Sequence, residues 1–326
     1  MSNEIESAQT IKAVRIHAFG STEVLTNEEI PRPIAGKGEV LVQIRAVGVN
    51  PGDWRVRSGH ADIPAELRPP VSVPLPFILG NDISGTVAAV GPDVTHFQVG
   101  DAVYGMIGFP DKGGAYAEYA AVPSKELALK PSTIDFVHAA GVPMAALTAW
   151  QGLFEKITLK KGQTVLVNGA AGGVGHIAVQ LAKIHGANVI GVASGAKEKF
   201  VRELGADEFI DYTTSSIETS AKDVDVVIDT VGGDHRLLEV LKPGGVLIPV
   251  FPGSYTDASA AEKSISIKWY QVYANAAHLA SIGNLIDSGK LHVVIEAVLP
   301  LASAAKAHEL SESRRVSGKI VLEVAE

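Results

Sequence analysis

The chain has 326 residues, of which 46% are hydrophobic and 20% charged, a composition typical of a folded globular protein with room for two domains. Its formal net charge of -8 argues against general nucleic-acid binding, which needs basic surface to neutralise phosphates. The absence of cysteine excludes disulfides, thiolate metal ligands and cysteine nucleophiles. The polar segment Met1–Thr10 lacks a secretory signal, and no apolar run reaches the length of a membrane span. We therefore expect a cytoplasmic protein without membrane or nucleic-acid partners.

The first part of the chain reads as β structure. Short segments rich in Val, Ile and Ala are separated by Gly, Pro and Asp turns, which is typical of strands. These segments are Lys12–Phe19, Val40–Val49, Ser84–Gly91, Asp101–Met106 and Ala115–Val122. The following stretch, Pro131–Lys160, is predicted to be helical.

From Thr164 onward, strands alternate with single helices. The predicted strands are Thr164–Val167, Asn188–Ala193, Glu208–Tyr212, Asp225–Thr230 and Val246–Val250. The helices between them are His176–Ile184, Lys197–Leu204 and His235–Leu241. This alternation predicts parallel βαβ units with right-handed crossovers and helices on both faces of the sheet. A helix over Asn275–Ser288, a strand over Val293–Val298, a helix over Ala302–Glu312 and a strand over Lys319–Val324 complete the chain.

A glycine-rich loop carries the clearest functional signal. The segment Val165–Gly175 ends a predicted strand, opens a predicted helix and contains the spacing G-x-x-G-x-x-G from Gly169 to Gly175. Small residues let the backbone approach a dinucleotide pyrophosphate, whose charge meets free N–H groups at the helix start. The strand–helix context favours a dinucleotide site over the alternative, a tight turn without a ligand.

The next strand discriminates between cofactors. A site for NAD usually presents an acidic residue about 20 residues after the loop, which holds the ribose 2′-hydroxyl. The strand here ends in Gly191–Gly195 without an acid, and Lys197 and Lys199 follow. Hydroxyl and cationic groups suit a 2′-phosphate, so NADPH is favoured over NADH. The alternative is that both lysines merely solvate a helix face.

With this loop in place, the chain resembles the medium-chain dehydrogenase/reductase superfamily, in its zinc-independent quinone oxidoreductase-like branch. The segments that carry the resemblance span nearly the whole chain. They are Gly48–Trp54, Gly80–Gly85, Val99–Val103, Gly114–Tyr119, Gly169–Gly175 and Gly318–Leu322. The string Asp53-Trp54-Arg55 looks closer to the alkenal and enone reductase subgroup than to the commoner quinone reductases.

The resemblance implies an α/β architecture in two domains. A GroES-like, β-rich catalytic domain would occupy residues 1–130, and a doubly wound Rossmann domain that binds NADPH would occupy residues 131–275. Residues 276–326 would return to complete the catalytic domain, with the active site in the cleft between the two.

The resemblance also implies that no zinc takes part. The positions that carry zinc ligands in metal-dependent relatives hold Asn50, Asn81 and Met144, none of which is a usual zinc ligand. What remains is hydride transfer from NADPH to a small electrophile, a quinone or an α,β-unsaturated carbonyl. Which of these compounds is the substrate cannot be read from the sequence.

Site residues follow from the same resemblance. Asn50 and Arg55 are the candidate catalytic residues near the substrate oxygen or the cofactor, and Trp54, Asn81 and Met144 are candidates for substrate binding. A surface ion pair for Arg55 and core packing for Trp54 are the alternatives.

The cofactor contacts fall into three groups. Ala171, Gly172, Gly173 and Val174 match the pyrophosphate loop. Ser194, Lys199 and Tyr212 match the 2′-phosphate and adenosine end. Thr148, Val231, Gly232, Val250 and Phe251 match the nicotinamide side. Thr148 could instead bond within its own helix, and Tyr212 could simply pack.

Two further expectations concern function and assembly. A non-catalytic NADPH-binding sensor or structural protein is the competing reading, because a glycine loop would look the same in both. Relatives are often homodimers joined through the nucleotide-domain sheet, for which Val246–Val250 is the candidate edge strand.

Overall fold

The computed structural model describes residues 9–63, 73–110 and 112–325 of the chain. Within these ranges, no helix is both long and apolar enough to cross a membrane. The strands form two separate groups. The first is built mainly from residues 10–129, and the second lies within residues 164–267.

The first group is built mainly from the N-terminal part of the chain. Its elements are β1 (Thr10–Ile16), β2 (Leu25–Pro31), β3 (Glu39–Val49), α1 (Pro51–Arg57), β4 (Phe77–Ile78), β5 (Asp82–Val90), β6 (Ala102–Met106), β7 (Tyr119–Pro123) and β8 (Leu127–Leu129). Strands β3, β5, β6 and β8 are antiparallel neighbours, β7 also pairs with β3, and β1 pairs with β2 and β4. Alternate residues of β3, such as Val40, Val42 and Ile44, enter the same apolar core.

Short helices connect this group to the second sheet. They are α2 (Phe136–Ala140), α3 (Pro143–Trp150) and a π-helix over Gln151–Lys156. The predicted helix over 131–160 is therefore broken into pieces. The side chain of Gln151 is buried and forms hydrogen bonds with the backbone N–H and carbonyl of Tyr273. The Tyr270 hydroxyl donates a hydrogen bond to the Thr148 carbonyl at 2.7 Å. These bonds fix the irregular turn.

The second sheet has the predicted parallel organisation. Its elements are β9 (Thr164–Asn168), α4 (Gly175–Ile184), β10 (Asn188–Ala193), α5 (Glu198–Glu203), β11 (Glu208–Asp211), α6 (Ile217–Ser220), β12 (Val224–Asp229), α7 (Arg236–Glu239), β13 (Leu241–Pro249), α8 (Asp257–Ala261) and β14 (Ser266–Ile267). The strand order is β11-β10-β9-β12-β13-β14, and every pair is parallel. Val165 and Val167 pack on one face while Leu166 packs on the other, so both faces are buried.

The edge of this sheet differs from the prediction. Val246–Val250 was the candidate edge strand, but β14 pairs with β13 at Val246 and Leu247 and forms the edge itself. The prediction was wrong because Ser266–Ile267 is too short to give a periodic strand signal.

The C-terminal segment returns to the first group of strands. It forms α9 (Ala276–Asp287), β15 (Ile295–Pro300), α10 (Ala304–Glu312) and β16 (Lys319–Glu323). β16 pairs antiparallel with β3, and the backbone N–H of Gly318 donates to the carbonyl of Ala171 at 2.8 Å. One short segment thus contacts both the first sheet and the glycine loop.

A buried polar chain joins α1 to α10. Since arginine only donates, Nδ1 of His308 accepts from Arg57 at 3.3 Å, which leaves the Nε2–H to donate to the Tyr116 oxygen at 2.9 Å. Tyr116 in turn donates to Asp53 at 3.2 Å, and Arg57 pairs with Glu312 at 2.7 Å. Burial, followed by the positive charge of Arg57, lowers the pKa of His308 to about 3. The histidine is therefore neutral in the folded protein at neutral pH.

This depressed pKa predicts a pH dependence of stability. Between its ordinary pKa of 6.5 and about 3, His308 binds a proton in the unfolded chain and not in the folded one, so stability is lost as the pH falls. Replacing His308 with Gln should therefore reduce the slope of the free energy of unfolding against pH by about 1.4 kcal/mol per pH unit between pH 6 and pH 4. Urea titrations at several pH values measure this slope.

The matched control is His96→Gln, which replaces an exposed histidine and should keep the wild-type slope. Identical slopes for the wild type and the His308 variant would contradict the prediction.

Candidate active site between the two sheets

The glycine loop lies between β9 and α4, as the sequence predicts. Gly169 has a φ of +81°, and a Cβ there would lie 2.4 Å from the Thr230 hydroxyl. A Cβ on Gly175 would lie 2.1 Å from the Gly169 carbonyl oxygen. Both positions therefore require glycine, because any side chain would push the loop open. Ala171–Val174 form the turn that leads into the first turn of α4, where a helix favours an anion.

The residues predicted for the adenosine end lie at or near the carboxyl edge of β10 and β11. Ser194 follows β10 and begins a short 3₁₀ turn, and the backbone N–H of Tyr212 donates to the carbonyl of Ala193 at 3.2 Å. The Lys199 side chain is 89% exposed and lies 3.8 Å from Glu203. The side chain of Lys197, in contrast, donates to Ser317 of the C-terminal segment at 2.6 Å.

The loops after β12 and β13 bring the predicted nicotinamide residues together. A Cβ on Gly232 would lie 2.9 Å from the Phe251 ring, so the two loops touch. A Cβ on Gly169 would lie 2.6 Å from Val231, which places that residue beside the glycine loop. Val250 donates its N–H to the Asp229 carbonyl at 2.8 Å.

One carboxylate holds this arrangement, and the sequence reading did not include it. Asp229 is completely buried and accepts hydrogen bonds from the Gly233 N–H at 2.6 Å, from Asn168 at 2.9 Å and from the Tyr255 hydroxyl at 2.9 Å. These donors satisfy the buried side-chain oxygens of Asp229 and hold the loop that carries Val231. The signal in the sequence was an acid that directly follows the apolar run Val226–Ile228 and ends the strand.

Thr148 bonds within its own helix. Its hydroxyl donates to the Met144 carbonyl at 2.7 Å, which is the arrangement that the sequence left open as the alternative. Tyr270 donates to the carbonyl of the same threonine. Thr148 is thus held by bonds on both its side chain and its backbone.

The three positions that hold zinc ligands in metal-dependent relatives are occupied by groups that bond to the protein. Asn50 donates to Asp82 at 2.9 Å, and the Met144 N–H donates to the other oxygen of Asp82 at 2.8 Å. Asn81 turns its amide away and donates to the Ile107 carbonyl at 2.8 Å. Across the described ranges, no three His, Cys, Asp or Glu side chains are grouped as ligands for a metal ion.

A buried ammonium occupies the centre of this cluster. Lys319 donates to the Asn50 side-chain oxygen at 2.5 Å and to the Val49 carbonyl at 3.1 Å, and its nitrogen lies 3.7 Å from Asp82. Its side-chain stem lies 3.2 Å from the position of a Cβ on Gly173. Burial raises the pKa of Asp82 and lowers the pKa of Lys319, and the attraction between the two groups opposes both shifts. The cation thus stands between the catalytic strands and the pyrophosphate loop.

Asp53 has a structural role beside this cluster. One of its oxygens accepts from the Asn50 N–H at 2.8 Å and so caps the start of α1. Burial, with a smaller contribution from the negative charge of Asp82, raises the pKa of Asp53 to about 7.

Arg55 bridges the two parts of the molecule. Its guanidinium lies 3.8 Å from the centroid of the Phe251 ring and 4.7 Å from that of Trp54, while its Nε donates to Asp62 at 3.0 Å. The Arg55 side chain is only 14% exposed. The ion pair that was the alternative is therefore present, and Arg55 also contacts Phe251, one of the residues predicted for the nicotinamide side. Trp54 is buried, and its indole N–H has no partner among the described protein atoms.

Comparisons with known proteins match the chain on both halves. A family model described as an alcohol dehydrogenase GroES-like domain matches residues 36–132, and one described as a zinc-binding dehydrogenase matches residues 204–322. A chloroplastic NADPH-dependent alkenal/one oxidoreductase of Arabidopsis thaliana is 35% identical, covering 93% of this chain and 77% of its own.

Solved structures agree with this match. The quinone oxidoreductase of Coxiella burnetii has a TM-score of 0.89 at 34% identity, covering 97% of this chain and 100% of its own. The quinone oxidoreductase of Escherichia coli, solved with NADPH, has a TM-score of 0.85 at 29% identity, covering 96% and 99%. The chain belongs to the medium-chain dehydrogenase/reductase superfamily, in its zinc-independent quinone oxidoreductase-like branch.

Proposed function

We propose that this chain is an NADPH-dependent oxidoreductase that reduces quinones or α,β-unsaturated carbonyls by hydride transfer, without zinc. The observation that carries the proposal is the glycine loop beside a buried cluster in which Asn50, at a position matched to a zinc ligand of metal-dependent relatives, bonds to Lys319 and Asp82. NADPH supplies the hydride when bound. The names of the Arabidopsis and Escherichia coli relatives support this cofactor, and the names of all three relatives support these substrate classes.

Three sets of residues would contact three different parts of the cofactor. Ala171, Gly172, Gly173 and Val174 form the turn that meets the pyrophosphate. The Gly172 N–H already donates to the Gly169 carbonyl at 2.9 Å, so the other backbone N–H groups of the turn would hold the phosphates, and Lys319 lies beside Gly173. Ser194, Lys199 and Tyr212 hold the 2′-phosphate and adenosine. The nicotinamide is flanked by Thr148, Val231, Gly232, Val250 and Phe251. The close contacts of Gly169 and Gly175 with the protein's own atoms keep this loop tightly turned, which supports a close approach of its backbone to the pyrophosphate.

Arg55 is the residue we assign to the substrate oxygen. Hydride addition to a conjugated carbonyl builds negative charge on that oxygen, and a fixed cationic donor lowers the energy of this state. The stack on Phe251 and the pair with Asp62 fix the guanidinium before substrate arrives. Asn50 acts indirectly, since its amide already bonds to Lys319 and Asp82. Trp54, Asn81 and Met144 shape the pocket around it.

The domain division stays as the sequence predicts it, with residues 1–130 and 276–326 in the catalytic domain and 131–275 in the nucleotide domain. The pairing of β16 with β3 supports the C-terminal return. A cytoplasmic location also stays a prediction, since the Arabidopsis relative is named as chloroplastic.

Turnover tests the proposed function directly. The purified protein should oxidise NADPH when a benzoquinone, a naphthoquinone, an alkenal or an alkyl vinyl ketone is present, and should leave a saturated aldehyde unreduced. The loss of NADPH absorbance measures the rate. Addition of a zinc chelator should leave the rate unchanged. Binding of NADPH without consumption in the presence of any acceptor would contradict the proposal and favour a sensor or structural protein.

The role of Arg55 is tested by substitution. Arg55→Ala should lower kcat/KM for an enone or quinone by about tenfold to a hundredfold, because a preorganised donor to the developing oxyanion is lost. Arg15→Ala is the matched control, since it removes an arginine of β1 that is paired with Glu28 of β2. Unchanged turnover together with unchanged NADPH affinity in the Arg55 variant would refute this role.

We also propose a homodimer formed through β14. Its outer edge is available for strand pairing, and Trp269 and Tyr273, which follow it, are 46% and 44% exposed. Sedimentation at micromolar concentration should give twice the chain mass of 34.1 kDa, and Trp269→Lys should shift the population toward monomer. A wild type that sediments only as monomer would remove this proposal.

A further inference from the structure

A carboxylate lies at the adenosine end of the site. Asp211 ends β11 and pairs in register with Ala193, the last residue of β10. Because the two strands are parallel, their carboxyl ends meet at the same edge of the sheet. This is the edge at which Ser194 and Gly195 begin the turn after β10.

The Asp211 side chain touches that turn. A Cβ on Gly195 would lie 2.4 Å from one carboxylate oxygen of Asp211, so the two residues are in direct contact. The other oxygen accepts from the Thr213 hydroxyl at 2.7 Å and from the Thr213 N–H at 2.9 Å. These bonds from Thr213 hold the pKa of Asp211 below its ordinary value. The side chain is therefore a carboxylate at neutral pH.

The nearby lysines do not offset this charge at the turn itself. The ammonium of Lys197 is bonded to Ser317, on the C-terminal segment. Lys199 extends into solvent and lies closest to Glu203. The Asp211 carboxylate, by contrast, lies against the backbone of Gly195, which a ribose at the end of β10 would approach.

We propose that Asp211 is a cofactor-specificity residue that allows NADH to compete with NADPH at this site. A carboxylate at the turn repels the 2′-phosphate of NADPH and accepts a hydrogen bond from the 2′-hydroxyl of NADH. The inference rests on the proposed function, because it requires a dinucleotide ribose at the end of β10. The protein therefore uses both dinucleotides, with a preference for NADPH that Asp211 limits.

In this proposal, Asp211 takes the role of the acid that is missing from β10, the strand after the glycine loop. In the usual NAD site, the acid ends the strand that follows the loop and its helix. Here that strand ends in Ala193 and Ser194, and the neighbouring strand supplies the carboxylate to the same turn. The carboxylate contacts the same turn, although Asp211 lies 18 positions further along the chain than Ala193, its partner in the neighbouring strand.

The test measures affinity for NADPH and for NADH separately, by titration calorimetry, in the wild type and in two variants. Asp211→Asn keeps an acceptor for Thr213 while removing the charge, and should raise the ratio of NADPH to NADH affinity by roughly tenfold. Glu208→Gln removes an exposed carboxylate from the start of the same strand and should leave the ratio within about twofold of the wild type. Asp211→Ser provides a second neutral variant.

Each outcome decides the inference. A higher ratio in both Asp211 variants supports it, since a purely structural cap would change both affinities alike. An unchanged ratio, or an equal loss for both dinucleotides, would overturn it while leaving the proposed reductase intact. Failure of the wild type to bind either dinucleotide would overturn the proposed function, and this inference with it.

Discussion

The geometry of the cleft depends on the buried ammonium of Lys319. A charge removed from water is tolerated only where close partners compensate for its lost hydration. Lys319 has these partners in Asp82, in the Asn50 oxygen and in the Val49 carbonyl. Because it begins β16 while Asn50 follows β3, these contacts fix the C-terminal strand at the end of β3. The same side chain passes beside Gly173, so Lys319 links the end of β3 to the glycine loop.

This arrangement changes what the surrounding residues are able to do. A zinc ion in such a cleft would polarise a carbonyl directly, as a Lewis acid. Here Asp82 and Asn50 are already bonded to Lys319 and to each other, so neither has a spare group of the kind that binds a metal. In the proposed reaction, the donor that stabilises negative charge on the substrate is Arg55, whose guanidinium lies over the rings of Phe251 and Trp54.

Local signals in the sequence predicted much of the fold, and contacts between distant segments account for what it missed. The glycine loop and strands such as Asn188–Ala193 were predictable because turn residues and apolar runs lie together in the chain. The β14 edge was not, since two residues carry no periodicity. Asp211 and Asp229 escaped the reading for another reason. Each acts on a turn supplied by a different part of the chain, and no spacing rule connects an acid to a loop across a sheet.

The cofactor site therefore divides into a rigid part and an adjustable part. A Cβ on Gly169 would lie 2.4 Å from the Thr230 hydroxyl, and a Cβ on Gly175 would lie 2.1 Å from the Gly169 carbonyl oxygen. The glycine loop therefore cannot accept larger residues at these positions without a shift of the neighbouring backbone. At the ribose end, Lys199 and Tyr212 are exposed, and Asp211 bonds mainly to its own loop. Substitutions there leave the core untouched. Under the proposed function, the choice between the two dinucleotides shifts through charge at this end, while the bonds of Asp229 keep the loop that carries Val231 in place.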